Sequence, residues 1–369
     1  MEVLHNAHRI VIKVGSSLVA DSGGVVHRAW MRSLAEDIAA FHARGKQVIL
    51  VSSGAVALGR GVLGLGTGIL GLEEKQAAAA CGQIALMEAW QGCLAHHRLK
   101  AAQLLLTIDV SEQRRRYLNA RNTLETLLER GVVPVINEND TIATAELRVG
   151  DNDRLAARVA QMAGADVLVL LSDVDGLYTA DPSKNEGATH LEVIETIDEA
   201  VREMAGIARS ALSSGGMQTK IEAAEIATRN GCHTIITRGM DPHPLKRLEE
   251  GARHSWFVAG TTPHGARKAW IAGTLKPKGE VTVDAGAEKA LLSGNSLLPV
   301  GVYEISGEFE RGDAVLIRST TGRMLAKGLS AYGSDDARKI MGKNSKQTEA
   351  LLGYKGRDAL VHRDDMVLL

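Results

Sequence analysis

Two lysines and one dense run of carboxylates and amides carry most of the chemical information in this chain. The run lies in VVPVINENDTIATAELRVGDND, from Val132 to Asp153. Val132–Ile136 reads as a short buried strand. It gives way to Asn137, Glu138, Asn139 and Asp140 and then, after a Thr/Ala-rich excursion, to Asp151, Asn152 and Asp153. Open α/β sheets bind ligands just beyond the carboxyl ends of their strands, so the cluster falls where a site is expected. Carboxylates and amides this dense suit an amine-bearing ligand, or the orientation of cationic side chains. The same residues would serve a solvated turn with an Asx cap on the next helix. Lys13, in IVIKVGSS, ends a strand just before Gly15. A lysine in an otherwise buried strand needs an anionic partner or an exit to solvent. It is either a cation aimed at phosphate across a glycine-permitted turn or a strand-end lysine reaching outward. KVGSS lacks the spacing of the common phosphate-binding loop.

Two further segments repeat the theme of a strand or turn leading into a helix. Ser52-Ser53-Gly54-Ala55 follows VILV and opens a helix, whose free N–H groups and positive dipole suit a carboxylate or phosphate. An ordinary N-cap at Ser53 accounts for it equally well. Ser213-Ser214-Gly215-Gly216-Met217-Gln218-Thr219-Lys220 is a Gly-rich turn and a helix start with a lysine in its first turn. A cation there opposes the helix dipole and makes better sense beside a strongly anionic group. Asp173, after VLVLLS, is a nucleotide contact or a turn aspartate. Together these features describe phosphoryl transfer better than hydrolysis. The chain has no G-x-S-x-G elbow, no H-E-x-x-H pair and no dinucleotide G-x-G-x-x-G after its first strand. Its histidines show no ligand spacing, and no protein metal site is expected.

The elements that must position these residues alternate up to about Arg238. Strands are expected at Ile10–Val14, Val48–Val51, Ala102–Thr107, Val132–Ile136, Val167–Leu171 and Thr234–Thr237. Helices are expected at Arg28–Arg44 (capped by Gly45), from about Glu73 to His97, at Asn119–Glu129, Asp151–Ala163 and Gly216–Asn230. Short apolar strands alternating with helices imply an α/β fold with a mostly parallel sheet covered on both faces. From Met240 to Pro277 the chain reads as a helix, a strand and a connection. From Gly279 the rhythm becomes β with small helices, and turn signals at Glu310–Asp313 and Thr320–Arg323 separate short strands. That describes a second domain of the small β-barrel kind. The expected division is 1–260, a connection at 261–277, and 278–369.

Composition narrows the class. At 369 residues two domains are expected, and 43 basic against 44 acidic residues argue against a protein built mainly to grip nucleic acid. Hydrophobic content of 45% supplies a core, but aromatics at 3% leave Ala, Leu and Val to fill it. Cys81, Cys93 and Cys232 read as free thiols of a reducing compartment. MEVLHNAHR runs directly into a strand, so no signal peptide is expected. Apolar runs are too short to span a bilayer. A cytoplasmic globular protein is the expectation.

IVIKVGSS, VILVSSGAVALGRG, VVPVINENDTIATAELRVGDND, SDVDGLYTADPSKN and GGMQTK resemble, in order, the motifs of the glutamate 5-kinases of the amino-acid kinase superfamily. NSLLPVGVYEISGEFERGDAVLIR resembles their appended PUA domain. The resemblance implies a three-layer αβα sandwich that phosphorylates the γ-carboxylate of L-glutamate from Mg-ATP, the first step of proline synthesis. It places Lys13 and Lys220 on the transferring phosphoryl group, with Asp153 holding them. Ser53, Gly54, Ala55, Asn137, Asp140 and Asn152 would bind glutamate. Lys13, Gly15, Ser172, Asp173 and the run Ser214, Gly215, Gly216, Met217, Gln218, Thr219, Lys220 would bind ATP, with Mg²⁺ carried by the nucleotide. It further implies inhibition by proline, a homo-oligomer (dimer or tetramer), and handover of a labile acyl phosphate to glutamate-5-semialdehyde dehydrogenase. A departure is Ala211 and Ser213 where the family often has glycine, since Cβ atoms there restrict positive φ and put ATP affinity in question. The chemistry agrees: a carboxylate is already ionised at neutral pH, so transfer rests on alignment and charge neutralisation. Two rivals remain open. One is another kinase of the superfamily, acting on acetylglutamate, aspartate, carbamate or uridylate. The other is an RNA-binding or RNA-modification protein acting through the PUA domain. The segment from Lys278 to Leu369 holds 13 basic and 13 acidic residues, which leaves it without the charge that drives nucleic-acid affinity. RNA contact is expected to be weak or absent.

Overall fold

A computed structural model describes residues 2–66, 68–107, 114–142, 151–207 and 216–369. The chain divides into two compact units, Met1–Pro263 and His264–Leu369. In the first unit the strands are β1 (Arg9–Val14), β2 (Gln47–Ser52), β3 (Lys100–Leu106), β4 (Val132–Glu138), β5 (Val167–Ser172), β6 (Leu177–Tyr178), β7 (His190–Leu191), β8 (Val193–Ile194), β9 (His233–Arg238) and β10 (His254–Phe257). The main sheet runs β3-β4-β2-β1-β5-β9-β10-β8. It is parallel from β3 to β9; β10 is antiparallel to β9, and β8 parallel to β10.

The helices are α1 (Glu2–Asn6), α2 (Ser16–Val19), α3 (Arg28–Ala43), α4 (Ala55–Leu63), α5 (Leu72–Ala95), α6 (Arg114–Glu129), α7 (Asp151–Ala163), α8 (Glu199–Ile207), α9 (Met217–Arg229) and α10 (Pro244–Glu249). Side chains of a strand alternate between its faces. Ile10, Ile12 and Val14 of β1 therefore join Val48, Leu50, Val167 and Val169 in a core closed by α3, α5 and α10. Val11 joins Ile49, Val51, Leu168 and Leu170 in a separate core closed by α6, α7, α8 and α9. Two helical layers on one mostly parallel sheet make the expected αβα sandwich.

The second unit opens with most of α11 (Pro263–Thr274), followed by β11 (Gly279–Val283), β12 (Val302–Gly307), β13 (Ala314–Ser319), β14 (Met324–Ser330) and β15 (Val361–Leu368). Its sheet runs β12-β11-β13-β14-β15, antiparallel except between β11 and β13. The two turn signals are used: Gly312 and Gly322 have φ of 92° and 83°, and Asp313 accepts the Glu310 N–H at 2.8 Å. The stretch read as a connection holds α11, which is tied to this unit. Arg267 Nε donates to Asp365 at 3.0 Å, and Lys327 Nζ meets the Ala272 and Leu275 carbonyls at 2.7 Å each.

Candidate active site

Alternation along β1 sends Lys13 to the α7/α9 face, in register with Val51 of β2 and Leu170 of β5. A central strand gives a lysine no route to water, and Lys13 is only 8% exposed. Its ammonium lies 2.7 Å from Asp153 Oδ1. Asp153 is the third residue of α7 and is fully buried. Lys220, the fourth residue of α9, is also buried, and its Nζ stands 3.8 Å from Asp153 Oδ2. Thr219 Oγ1 donates to the same oxygen at 2.7 Å and lies 2.9 Å from the Gly216 carbonyl. The outward-reaching alternative for Lys13 is thereby excluded. One strand and two helices meet on one carboxylate.

Two buried ammonium groups meet one buried carboxylate, and Asp173 is a further negative charge acting on Lys220. Burial alone would raise the Asp153 carboxyl, but the Lys13 and Lys220 charges, helped by hydrogen bonds from Lys13 and Thr219, outweigh it and hold the group below its ordinary value of 3.8. Burial pushes the Lys220 ammonium down; Asp153 opposes this and Lys13 adds to it. An anion placed between the lysines would relieve both burdens.

The strands next to Lys13 end side by side. Ser53 N–H donates to the Val14 carbonyl at 3.0 Å, and Gly239 N–H to the Ser172 carbonyl at 2.7 Å. Gly54, not Ser53, is the N-cap of α4: it has φ 111° and ψ −5°, and no side chain caps the helix. The reading of Ser53 as an N-cap is corrected accordingly; it stands half-buried one residue earlier. A Cβ on Gly54 would lie 3.1 Å from Val19 Cγ1, in a backbone region L side chains rarely adopt. Ala55 follows as the first helical residue, buried. Close packing of α5 orients α4, since a Cβ on Gly59 or Gly82 would come within 1.7 Å of the Ala78 carbonyl or 1.8 Å of the Ala55 carbonyl. Ser52 is buried and accepts the Trp90 indole N–H at 2.9 Å.

At the end of β4, Asn137 is buried with its polar atoms engaged. Its amide donates to Gln83 Oε1 at 3.2 Å and its Oδ1 accepts the Glu138 N–H at 2.9 Å. Asp140 is half-buried in the turn that follows. Asn152 Oδ1 is buried with no hydrogen-bond partner among the described residues. Residues 143–150 lie outside the described residues.

The expected nucleotide residues divide. Gly15 caps α2 at φ −71°, an ordinary value, and a Cβ there would stand 3.9 Å from Lys13 Nζ. Ser172 is buried and donates to Asp173 Oδ1 at 2.9 Å, while Asp173 itself is exposed. Gly216 caps α9 in an extended conformation, and among the described residues no atom beyond its chain neighbours lies within 4 Å of where a Cβ would sit. Ser214 and Gly215, with Ala211 and Ser213, lie outside the described residues. Met217 is buried in the α7/α9 core and Gln218 turns to Glu222 Oε1 at 3.3 Å, so neither side chain joins the Asp153 cluster. The sequence reading missed Gln83, one of three glutamines in the Ala-rich helix α5, and the link from Thr219 to Asp153. Among the described residues no group of three or more His, Cys, Asp or Glu could hold a metal ion. No helix among them is long and apolar enough to cross a membrane.

The profile of the amino acid kinase family matches residues 8–238, and that of the PUA domain residues 279–352. The chain is 58% identical over 369 residues to a glutamate 5-kinase of Paramagnetospirillum magneticum, covering 100% of both chains. It is 56% identical over 365 residues to the glutamate 5-kinase of Sinorhizobium fredii, covering 99% of this chain and 93% of that one. Among solved structures it is similar to carbamate kinase from Giardia lamblia bound to AMP-PNP, with a TM-score of 0.50 and 18% identity over 69% of this chain and 99% of that one. That likeness speaks for the fold alone. The chain belongs to the glutamate 5-kinase family, an amino acid kinase unit followed by a PUA domain.

Proposed function

We propose that the chain phosphorylates the γ-carboxylate of L-glutamate from ATP, yielding γ-glutamyl phosphate for proline synthesis. The observation that carries the reading is the pair of buried ammonium groups, Lys13 and Lys220, brought by β1 and α9 onto the single carboxylate of Asp153. The transferring phosphoryl group spreads negative charge over its oxygens, and fixed cations in a water-poor site stabilise it without reorganising. The paired ammonium groups answer that need, and Asp153 keeps both lysines aimed. Glutamate's own carboxylate is ionised and requires no base. Asp140 suits its ammonium and Asn152 Oδ1, unpartnered among the described residues, offers an acceptor, while the start of α4 at Gly54-Ala55, which no side chain caps, suits its α-carboxylate. Glycine at Gly216 suits a close approach of phosphate to the backbone at the start of α9. Asp153 is engaged by the lysines, so Mg²⁺ is expected on the nucleotide's oxygens and water.

Membership of the family supports three further expectations: inhibition by proline at the glutamate site around Asn137–Asp153, assembly of copies of the chain, and transfer of the labile product to a cytoplasmic glutamate-5-semialdehyde dehydrogenase. ADP release with L-glutamate, acetylglutamate, aspartate, carbamate and UMP in turn, each with and without proline, tests the reading. Glutamate-dependent turnover is expected; turnover with any other acceptor alone would reject it.

A further inference from the structure

We infer that the ion pair between Arg154 and Glu222 is a positioning device that sets where Lys220 stands relative to Asp153; the inference rests on the reading just given. Arg154 follows Asp153 on α7, and Glu222 lies two residues beyond Lys220 on α9. Arg154 Nε donates to Glu222 Oε2 at 2.7 Å, its Nη2 reaches the same oxygen, and Gln218 Nε2 supports Oε1 at 3.3 Å. Both side chains are about one-third exposed, at 34% and 33%, so the pair closes the rim of a buried cluster. Thr219 and Glu222 are three residues apart and therefore share a face of α9. Thr219 meets Asp153 and Glu222 meets Arg154, which gives two polar ties in consecutive turns.

Small side chains flank these ties, beside larger ones such as Leu155, Val159, Met217 and Ile221 in the same core. Ala156, Ala157 and Ala160 on α7 and Ala223, Ala224 and Ala227 on α9 are all buried in the same core. Methyl groups bring two helices close but interlock little, so they resist separation better than sliding. Lys220 stands 3.8 Å from Asp153, against 2.7 Å for Lys13; its longer arm is the one a small slip of α9 would move. Misplacement by an ångström at a reacting centre can cost about 10²-fold in rate. A pair one-third exposed and outside the reacting atoms can therefore control turnover through Lys220.

The experiment is a double-mutant cycle on the full chain with Arg154→Gln, Glu222→Gln and both together. Each single change is expected to lower kcat roughly tenfold with the KM for glutamate nearly unchanged. The double variant should be no slower than either single one, because both remove the same tie. Arg154→Lys, which retains one charged contact, should recover part of the loss. A second readout needs no activity: competitive acetylation followed by peptide mass spectrometry. Lys220 should become several-fold more reactive in both single variants, with Lys46, buried elsewhere against the carbonyls of Leu4, His5 and Ala7, as an unchanged reference. Losses that add in the double variant would overturn the inference. So would a rate in Glu222→Gln at or above the parent's, which would make Arg154 a charge acting on its own, or unchanged Lys220 labelling. If the parent chain shows no glutamate-dependent turnover, the functional reading fails, and the labelling still decides the positioning claim.

Discussion

The two faces of the main sheet share every central strand yet differ in what β1 offers them. Toward α3 and α5 it presents Ile10, Ile12 and Val14, all buried without a polar atom in the side chain. Toward α7 and α9 it presents Val11 and Lys13, and the lysine forces a carboxylate, a hydroxyl and a second lysine into the layer. The first face combines apolar packing with a few local polar contacts, such as the Trp90 indole to Ser52 and the Leu245 and Lys246 N–H groups to Asp37. On the second, a buried cation is tolerable only with a partner whose remaining valences are also met. Both faces carry a large apolar core, and the chemistry lies on the one to which β1 gives Lys13; a side-chain period of two makes that partition.

Substitutions on each side should separate these roles. Lys220→Ala is expected to lower kcat by about 10²–10³ or more while glutamate binding, read by calorimetry, persists; unchanged turnover would remove Lys220 from the mechanism. Phe41→Ala, in the α3 core, should cost about 3–5 kcal/mol in denaturant unfolding, with kcat per folded molecule preserved. If kcat falls in step with stability, the two faces are not separable. Asp140→Ala should raise the KM for glutamate by an amount equivalent to about 1.5–3 kcal/mol and leave thermal unfolding nearly as it was; an unaltered KM would put the substrate ammonium elsewhere.

The acid limb of stability should distinguish the faces more finely. The folded Asp153 carboxyl sits below 3.8, so its contribution is complete above that value and is lost as pH falls through the folded one. Denaturant curves at descending pH should steepen their loss in that window. Asp153→Asn should flatten part of the fall, whereas Phe41→Ala should lower the curve without changing its slope. The smallest effect is expected from Gly216→Ala. Among the described residues nothing beyond its chain neighbours crowds the methyl's place, so folding should be untouched and only the KM for ATP should rise.

The linear pattern foretold a good part of this molecule for identifiable reasons. Apolar runs bounded by Gly placed β1, β2, β4, β5 and β9 to within two residues, because a strand buried on both faces has a simple composition. The pattern did not announce β6, β7 and β8, whose two residues each are too few to show a period, nor α8, a single short helix. β15 was equally hidden, since VHRDDMVL breaks its alternation with charge. The stretch read as a connection became α11 because Arg267 and Lys327 find partners across the second unit, which local propensity does not encode.

At the site, residue types and order along the chain were enough to mark Lys13, Lys220 and the cluster Asp151-Asn152-Asp153 and to suggest phosphate chemistry. A buried lysine needs an anion, and an acidic cluster after a strand needs cations. Folding alone chose Asp153 from its neighbours, enclosed it completely, turned Asn137 toward Gln83, made Gly54 and not Ser53 the cap, and aligned Arg154 with Glu222. Those choices depend on which faces of α5, α7 and α9 meet the sheet. Residues 13, 153 and 220 are separated by long stretches of chain, and no local preference can measure the distance between them.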